Sequence, residues 1–333
     1  YKDTRKITSV TDPANRSLQF SYNSGSNLIK SITDPLNTSP RVIQFNYSNN
    51  QLSAYTDAKG QNTLYTYGTG DTASFLLKTI QLPKGNIITN QYFQRKLTST
   101  KYNNNSPTTI AHNPNYVAGN NNYYKSTVTV PQQGTQNVVA NFELNKNGNI
   151  TKMDGNNALD ISTSYNDANN QMLPSGITNN LNNVTVTPTY DQYGNVTQMV
   201  TSGNGITTTE SFQYNALNDL TEHTDANGHS TYYYYTSGNL TKVTDALGNE
   251  TNITNNGYGQ PTSVTNPSNV TVNIGYNSYG NNNSVNIPSL GLSASMNYDP
   301  VSRMTSATNF GGQTSTYTYD VNDNLLTEKD AAN

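Results

Sequence analysis

The stretch Phe212–Tyr234, FQYNALNDLTEHTDANGHSTYYY, sets a pattern that the rest of the chain repeats. Tyr214 is followed six positions later by Leu220, and Leu220 is followed five positions later by Asp225 in a TDANG turn. Tyr234 comes nine positions after Asp225, and the same order then starts again. One cycle of 20 residues falls within the period range of repeat architectures.

The same order extends from this stretch toward both ends of the chain. Hydrophobic residues recur in the position of Leu220, and we assign Ile7, Leu28, Leu52, Leu77, Leu97, Ile150, Val196, Leu240, Pro261, Met304 and Leu325 to it, with Val128, Leu173 and Val285 as weaker members. The average spacing is about 23 residues, as in other repeat arrays. We therefore predict one array over residues 1–333, with about 14–15 repeats of roughly 20–25 residues. Residues 103–122 fit no repeat, and we expect an irregular loop insertion there.

Aromatic and aliphatic side chains two positions apart predict strands, because alternate residues of a strand share one face. Such pairs are Phe20/Tyr22, Phe45/Tyr47, Tyr65/Tyr67, Phe212/Tyr214, Tyr232/Tyr234, Ile274/Tyr276, Met296/Tyr298 and Tyr317/Tyr319. Tyr, Thr, Val and Ile dominate these runs, as strands prefer, and no helical stripe persists. The sequence predicts an all-β fold of repeated antiparallel hairpins in a continuous curved or spiralling sheet.

Turn residues separate the predicted strands at regular places. Asp or Asn stands first and Gly fourth in segments such as Asp57–Gly60, Asp191–Gly194, Asp225–Gly228 and Asp245–Gly248. This order is typical of type I turns, in which the first side chain accepts backbone hydrogen bonds and Gly adopts a left-handed conformation.

One spacing does not suit a plain two-residue alternation. The residue in the Leu220 position and the next apolar residue are usually three apart, as in Ile150/Met153, Val196/Met199 and Leu240/Val243. We expect a β-bulge at this place, or a strand that buries both faces.

Composition excludes several classes of function. Charged residues are 12% of the chain and the formal net charge is −3, so no basic surface for nucleic acid is indicated. The absence of Cys rules out disulfides and thiolate chemistry. No apolar run is long enough for a membrane span. The 25 Tyr argue against disorder and suggest that tyrosine supplies much of the apolar surface that packs.

We weighed possible chemical sites and predict none. His223 and His229 flank one turn, but two ligands make a weak metal site. Asp154–Asp160 and Asp320–Asp323 superficially resemble calcium loops and lack the 12-residue spacing that ends in Glu. His112 has no obvious partner in the sequence, and no Ser-His-Asp set can be argued. We therefore predict no catalytic residue, no cofactor and no metal, and a protein that is not an enzyme.

Tyrosine clusters leave two readings open. Tyr232–Tyr235 places four rings on the two faces of one strand, and exposed rings could stack on sugars. Tyr also recurs at the same place in nearly every repeat, which favours a structural role. We keep a glycan-binding or adhesion module as the alternative function.

Several segments carry a family resemblance: YDQYGNVTQM at 190–199, YDPVSRMTSAT at 298–308 and TDALGNET at 244–251. They resemble the YD, or Rhs, repeats of bacterial polymorphic toxins, insecticidal toxin complexes and, more distantly, teneurins. The Asn-, Tyr- and Thr-rich, cysteine-free character is most similar to wall-associated, contact-dependent toxins of bacilli.

The resemblance implies a structural role. In that family, the repeats form a long sheet that spirals into a hollow shell around a C-terminal toxin. It implies that this chain is a shell segment of a large secreted or cell-wall associated protein. Its partners would be neighbouring repeats and the toxin domain of the parent chain, with cell-surface glycan under the alternative, and without nucleic acid or a membrane span.

Overall fold

The computed structural model describes residues 6–12, 16–34, 40–69, 75–113, 122–132, 136–156, 159–167 and 170–330. The chain divides into two compact units. The terminal unit comprises Tyr1–Thr89 and Thr254–Asn333, and the central unit comprises Asn90–Ile253.

The described residues contain 29 strands and one short 3-10 helix at Pro288–Leu290. The first strands are β1 Ser9–Thr11, β2 Ser17–Tyr22, β3 Ile29–Asp34, β4 Arg41–Ser48, β5 Gln51–Thr56, β6 Asn62–Tyr67, β7 Leu77–Gln81 and β8 Ile87–Phe93. They are followed by β9 Lys96–Tyr102, β10 Thr108–Asn113, β11 Asn122–Val130, β12 Val138–Asn145, β13 Ile150–Gly155, β14 Leu159–Ser164, β15 Gly176–Asn179, β16 Val184–Tyr190, β17 Val196–Gly203, β18 Ile206–Tyr214, β19 Leu220–Thr224, β20 Ser230–Thr236, β21 Asn239–Thr244 and β22 Glu250–Asn255. The last are β23 Pro261–Thr265, β24 Thr271–Tyr276, β25 Asn282–Ile287, β26 Leu292–Tyr298, β27 Met304–Thr308, β28 Thr314–Tyr319 and β29 Leu325–Lys329.

Strands in each unit pair with their neighbours in sequence, and all pairs are antiparallel. In the central unit, for example, β17 pairs with β16 and with β18, and β19 pairs with β18 and with β20. In the terminal unit, β1 to β8 form one such run and β23 to β29 form another. The prediction of an all-β fold built from repeated antiparallel hairpins is confirmed.

The segment 103–122 differs from the expected irregular loop. Strand β10 lies within it and pairs with β9 and β11. The expectation is wrong for this part because Thr108–Asn113 contains Thr and Ile, which favour strands. Residues 114–121 lie outside the described residues.

Strands of the array have two unlike faces. In β26, Leu292, Met296 and Tyr298 are half-buried, whereas Ser295 and Asn297 between them are exposed. We call the first side the tyrosine face and the second side the polar face. Hydroxyl and amide side chains pair across strands on the polar face, as in Ser21 with Ser31, Thr66 with Thr79, Asn297 with Ser306 and Thr318 with Thr327.

No aliphatic or aromatic residue among those described is buried; the buried residues in this part of the chain are Ser99, Asn145 and Pro188. The aromatic rings are therefore half-covered by cross-strand neighbours and do not fill an interior. Cross-strand side-chain pairs contribute roughly 0.2–1 kcal/mol each. The stability of such a sheet comes from many small contacts between successive hairpins.

The expected β-bulge is present. Tyr214 lies opposite Leu220 and Gln213 opposite Glu222, so Thr221 is an extra residue between them. The same register shift occurs opposite Tyr22, Tyr47, Tyr67, Leu144, Tyr190, Tyr235, Tyr276, Tyr298 and Tyr319. We call this the motif bulge, and the aromatic residue before it the motif tyrosine.

Register corrects two assignments to the Leu220 position. Tyr22 lies opposite Ile29 and not Leu28, because the turn after Tyr22 is one residue longer. Tyr276 lies opposite Asn282, a polar residue, whereas Val285, three residues after Asn282, lies opposite Ile274. Hydrophobicity alone could not identify Asn282, because its backbone and not its side chain makes the motif contact.

The equivalent of Tyr214 in the next repeat is Tyr235, not Tyr234. Tyr235 lies opposite Leu240, and the bulge falls between Tyr234 and Tyr235. The connecting turn has two residues with positive φ, Ser237 at 51° and Gly238 at 78°, like the turn at Asn49 and Asn50, and is one residue shorter than the turn after Tyr214. The pair that belongs to the tyrosine face is therefore Tyr233/Tyr235.

Turns join the strands at two edges of each run. Motif turns follow the motif tyrosine and include 191–195, 215–219, 277–281, 299–303 and 320–324. Return turns close the other edge and include 12–16, 57–61, 225–229, 245–249, 266–270 and 309–313. In the turn at 245–249, the Asp245 amide donates to the Asn249 carbonyl and the Gly248 amide donates to the Asp245 carbonyl. Asp245 Oδ1 also accepts from the amides of Leu247 and Asn249, as the sequence predicted for type I turns.

Candidate functional site: contacts between repeats

Six motif tyrosines hydrogen-bond to the repeat before their own. The hydroxyl of Tyr214 donates to the carbonyl of Val196, at 2.9 Å. Five further tyrosines make this contact at 2.7 to 3.0 Å: Tyr22 with Ile7, Tyr67 with Leu52, Tyr190 with Pro174, Tyr276 with Pro261 and Tyr298 with Asn282. The acceptors are 15 to 18 residues earlier in the chain. We call this contact the tyrosine clasp.

The clasp uses an ionisable group that stays neutral. Burial is the main cause that raises the pKa of Tyr214, and the nearby Asp191 carboxylate raises it further. Burial likewise raises the pKa of Tyr67 and Tyr190. These phenols therefore remain protonated donors throughout the physiological pH range.

His112 takes the place of the motif tyrosine in its repeat. Its Nε2 lies 2.8 Å from the carbonyl oxygen of Leu97, 15 residues earlier, which is the separation found for Tyr22, Tyr67 and Tyr276. Because a carbonyl only accepts, Nε2 must carry a proton, and Nδ1 forms a second hydrogen bond with Ser126 Oγ at 3.0 Å. The expectation that His112 lacks a partner is therefore wrong.

Threonine stabilises the motif bulge. Thr221, the extra residue, donates its hydroxyl to the carbonyl of Gln213 at 3.1 Å. Thr98, Thr151, Thr197, Thr241 and Thr262 make the same kind of bond at 3.2 to 3.4 Å. A bulge leaves backbone groups without a hydrogen-bond partner on the neighbouring strand, and the threonine hydroxyl provides such a partner for the carbonyl. The hydrophobic-Thr dipeptide of the repeat therefore has a local structural cause.

Turns distant in sequence meet within the terminal unit. The guanidinium of Arg16 lies 4.9 Å from the centre of the Tyr279 ring, and its Nη1 donates to Ser302 Oγ, 286 residues away in sequence. Asn322 Nδ2 donates to Asp57 Oδ2 at 2.7 Å across 265 residues, and Lys59 forms an ion pair with Asp320. Return turns of the first hairpins therefore contact motif turns of the last hairpins. We call this line of contacts the seam.

Arg41 is the most connected cation of the seam. Its Nη1 lies 2.6 Å from Asp323 Oδ2, 282 residues away, and its Nη2 lies 2.6 Å from Asp34 Oδ2. Burial alone would lower the pKa of Arg41, but the hydrogen bonds to Asp34 and Asp323 raise it above the usual value. Arg303 Nη1 also reaches Asp323 Oδ1, at 3.1 Å, so Asp323 lies between two guanidinium groups.

A cavity of about 270 Å³ opens beside the seam. Val10, Leu18 and Val301 form its apolar part, and the Asp12–Arg16 and Asp34–Arg41 pairs form its polar part. Each of these charged groups already has a partner of opposite charge. The cavity is therefore best described as a packing gap between two turn edges.

The sequence-derived metal candidates do not come together. His223 Nε2 lies 2.9 Å from Glu210 Oε2, and its ring stacks on Phe212 with centroids 4.8 Å apart. His229 contacts a different carboxylate, Asp225, at 3.4 Å. No group of three or more metal-ligating side chains occurs in the described part of the chain.

Aspartates of the two calcium-like segments have structural partners. Asp154 accepts from Asn141 Nδ2 at 2.7 Å, and this hydrogen bond is the main cause that lowers the pKa of Asp154, with Lys152 adding to it. Asp160 accepts from Asn180 Nδ2 at 2.8 Å. The ion pair with Lys59 is the main cause that holds the pKa of Asp320 well below its ordinary range.

The four consecutive tyrosines alternate between faces, as predicted. Tyr232 and Tyr234 lie on the polar face with 40% and 44% of their surface exposed, and Lys242 Nζ sits 4.4 Å from the Tyr234 ring centre. Tyr233 and Tyr235 lie on the tyrosine face. Glycan binding by the exposed pair stays a prediction.

Two functional features were missed in the sequence. The clasp could have been anticipated from the recurrence of Tyr rather than Phe at the motif position, since only Tyr carries a donor. The seam gives no local signal, because its partners are separated by 261 to 286 residues. Among the described residues, no helix has the length and apolar character to cross a membrane.

Comparisons with known proteins agree with this architecture. Residues 214–251 match the RHS Repeat family model. No curated protein matches the chain. Among solved structures, TcdB2-TccC3-TEV is similar with a TM-score of 0.55 at 12% identity, over 95% of this chain and 20% of that one. TcdB2-TccC3-Cdc42 gives a TM-score of 0.51 at 15% identity over 95% and 18%, and the Photorhabdus luminescens Tc holotoxin pore gives 0.52 at 15% over 95% and 17%.

The chain spans about a fifth of the length of these solved chains, and identities this low establish the fold alone. The matched segment contains the motif tyrosine Tyr214, the motif bulge at Thr221 and the return turn at 225–229. Residues 214–251 therefore carry an RHS repeat, within a chain that has the fold of these toxin-complex structures.

Proposed function

We propose that this chain is a structural segment of the repeat shell of a large secreted toxin or cell-surface protein, with chemical activity residing elsewhere in its parent. The observation that carries this proposal is the seam, above all the contact of Arg41 with Asp323 across 282 residues. A sheet whose described part has no buried aliphatic or aromatic residue, and whose turn edges meet within the terminal unit, is suited to form a wall.

The finer parts of the proposal concern the cargo and the place of action. We infer that the wall helps to enclose a C-terminal toxin and to present it, and that the parent acts outside the cell, secreted or bound to the cell wall. The RHS repeat and the fold support the shell. The assignment to wall-associated, contact-dependent toxins of bacilli rests on the Asn-, Tyr- and Thr-rich, cysteine-free composition.

Limited proteolysis of the full-length parent tests this function. The C-terminal domain should survive a protease concentration that digests the same domain made alone, because an intact wall excludes the protease. The variant Asp323→Asn, which removes one seam charge, should shorten this protection, whereas Glu250→Gln, which alters an ion pair within one hairpin, should not. Equal digestion of the domain in the intact parent and alone would refute the shell.

A further inference from the structure

In three motif turns of the terminal unit, the third residue is the contact position of the seam, whereas Tyr258, at the same place in the turn 256–260, is 84% exposed. In the terminal unit, Tyr279 lies under Arg16, Val301 lines the cavity beside Val10 and Leu18, and Asn322 donates to Asp57. All three residues occupy the same place in their turns, two positions after Asn277, Asp299 and Asp320. A motif turn therefore presents this side chain to whatever lies across its edge.

Two motif turns of the central unit present the same position to solvent. Tyr193 in turn 191–195 and Leu217 in turn 215–219 are each 70% exposed. The two turns are joined along the edge, because Asn195 Nδ2 donates to Asn218 Oδ1 at 2.9 Å. Similar side-chain bonds join the occupied turns of the terminal unit, where Arg303 Nη1 donates to the Asp320 carbonyl at 2.8 Å. The central edge therefore has the organisation of the occupied one, with its contact positions open.

Charge indicates what this edge would accept. Residues 153–241 contain eight Asp and Glu and no Lys or Arg, although the chain has 18 of these cations. Asp191 and Asp219 belong to the two turns themselves. In the seam, the return-turn edge supplies Arg16, Lys59 and Arg41, the last as the first residue of β4. The motif turns supply Asp320 and Asp323, together with Arg303, which pairs with Asp323. A basic return-turn edge is the complement of the central motif turns.

We propose that the motif-turn edge at Tyr193 and Leu217 is a docking surface for a further run of repeat hairpins, which presents a return-turn edge with Arg or Lys. The occupant is a segment of the parent chain outside residues 1–333. In the seam, docked turns are separated by 261 to 286 residues, and that distance counted back from Tyr193 leaves the present sequence. This inference rests on the proposed shell function and adds the place and chemistry of its next contact.

Site-specific photo-crosslinking in the full-length parent tests the inference. p-Benzoylphenylalanine placed at Tyr193 or Leu217 should crosslink, within one molecule, to a peptide that precedes Tyr1 and contains a turn with Asp followed by Arg or Lys. The same probe at Tyr279 should crosslink to the peptide that contains Arg16 and serves as the positive control. A probe at Tyr232, exposed on the polar face away from the turns, should give no crosslink to such a peptide.

The outcomes separate the inference from the function on which it rests. If Tyr279 links to the Arg16 peptide while Tyr193 and Leu217 link to nothing, to a second molecule or to a peptide without a basic turn, the docking surface is refuted and the shell survives. If Tyr279 also fails to link, the seam and the shell both fail. In residues 1–333 alone, the probe at Tyr193 should give no crosslink, because the occupant is absent.

Discussion

At the scale of single residues, a donor on the motif side chain matters more than its hydrophobicity. Tyr214, Tyr67 and His112 each donate one hydrogen bond to a carbonyl of the preceding repeat. His112 does so although its imidazole ring is smaller and more polar than the phenol ring of tyrosine. The carbonyl belongs to the residue at the motif bulge, where the side chain can be Val, Leu, Pro or Asn. The clasp therefore tolerates sequence change on the acceptor side and restricts it on the donor side.

Replacement of Tyr214 by Phe should lower the free energy of unfolding by about 1 kcal/mol, because the Val196 carbonyl loses its donor while the ring remains. Urea denaturation at pH 7 measures this change. Tyr234→Phe is the matched control, since Tyr234 lies on the polar face and is 44% exposed, and it should change stability by less than about 0.5 kcal/mol. Equal effects of the two substitutions would contradict the clasp.

Acid sensitivity should come in part from the turn aspartates. The side-chain hydrogen bond from Asn249 is the main cause that lowers the pKa of Asp245, and turn hydrogen bonds likewise lower the pKa of Asp191 and Asp225 from the ordinary value of 3.8. A lowered pKa in the folded state gives stabilisation that is complete above the unfolded value and disappears as pH falls through the folded value.

Replacement of Asp191, Asp225 and Asp245 together by Asn should therefore reduce the loss of stability between pH 5 and pH 2. Asn keeps the Oδ1 acceptor, as Asn256 and Asn277 already do in equivalent turns. Urea midpoints across this pH range provide the measurement. If the triple variant loses as much stability as the parent sequence, the turn carboxylates do not set the acid limit. Triple replacement by Ala should instead destabilise the fold at pH 7 as well, since the acceptors are lost.

At the scale of strands and turns, much of the fold was predictable from the sequence. Type I turns were predictable because Asp or Asn and Gly stand at fixed offsets. The motif bulge was predictable because Val196 and Met199 are three residues apart, whereas a regular strand places residues of one face two or four apart. The register at Tyr235 was not predictable from periodicity, because a two-residue turn at Ser237 and Gly238 shortens that repeat by one residue. Asn282 was missed for another reason: its backbone carbonyl accepts the hydrogen bond from Tyr298, so the position does not require a hydrophobic side chain that the sequence would show.

Glycine is required by conformation and not by space in these turns. Gly228 has a φ of +84°, and a Cβ there would meet nothing within 4 Å; a Cβ at Gly257 would also meet nothing, but that residue does not have positive φ. Gly228→Ala should cost about 1 kcal/mol of stability, because Ala is strained in the left-handed region. Gly257→Ala should be neutral or slightly stabilising. Thermal unfolding of both variants tests this difference. A similar loss of stability in both would show that backbone conformation does not explain the requirement for Gly228.

At the scale of the whole molecule, the seam is the feature that the sequence could not reveal. Its members are charged residues at turns, where charge is expected anyway, and only the fold shows that residues about 280 apart are partners. The candidate site was accordingly missed in the sequence, whereas the repeat that builds it was recognised.

The seam should respond to salt, because Arg41 and Asp323 are partly exposed, with 19% and 52% of their side-chain surface accessible. Arg41→Gln should raise hydrogen exchange in β1 to β4 at low salt and should lower stability by about 1 kcal/mol. Adding Asp323→Asn should cost less than the sum of the single effects, because the partner is already lost.

Lys242→Gln provides the control for this experiment. Lys242 pairs with Glu250 at 2.7 Å across neighbouring strands, so its loss should leave hydrogen exchange in β1 to β4 unchanged. Additive effects of Arg41→Gln and Asp323→Asn would contradict a contact between these residues. The same exchange rates at 20 mM and 500 mM salt would contradict an electrostatic seam.

The tyrosine clasp always points backward along the chain, to an acceptor 15 to 18 residues earlier. When a new hairpin emerges, the preceding repeat that supplies its acceptor carbonyl has therefore already been synthesised or exported. Such a sheet can grow from its amino-terminal end by one hairpin at a time, as a polypeptide does when it leaves a ribosome or a secretion channel. The pairings across some 280 residues come last, and they lock a ribbon that is already complete.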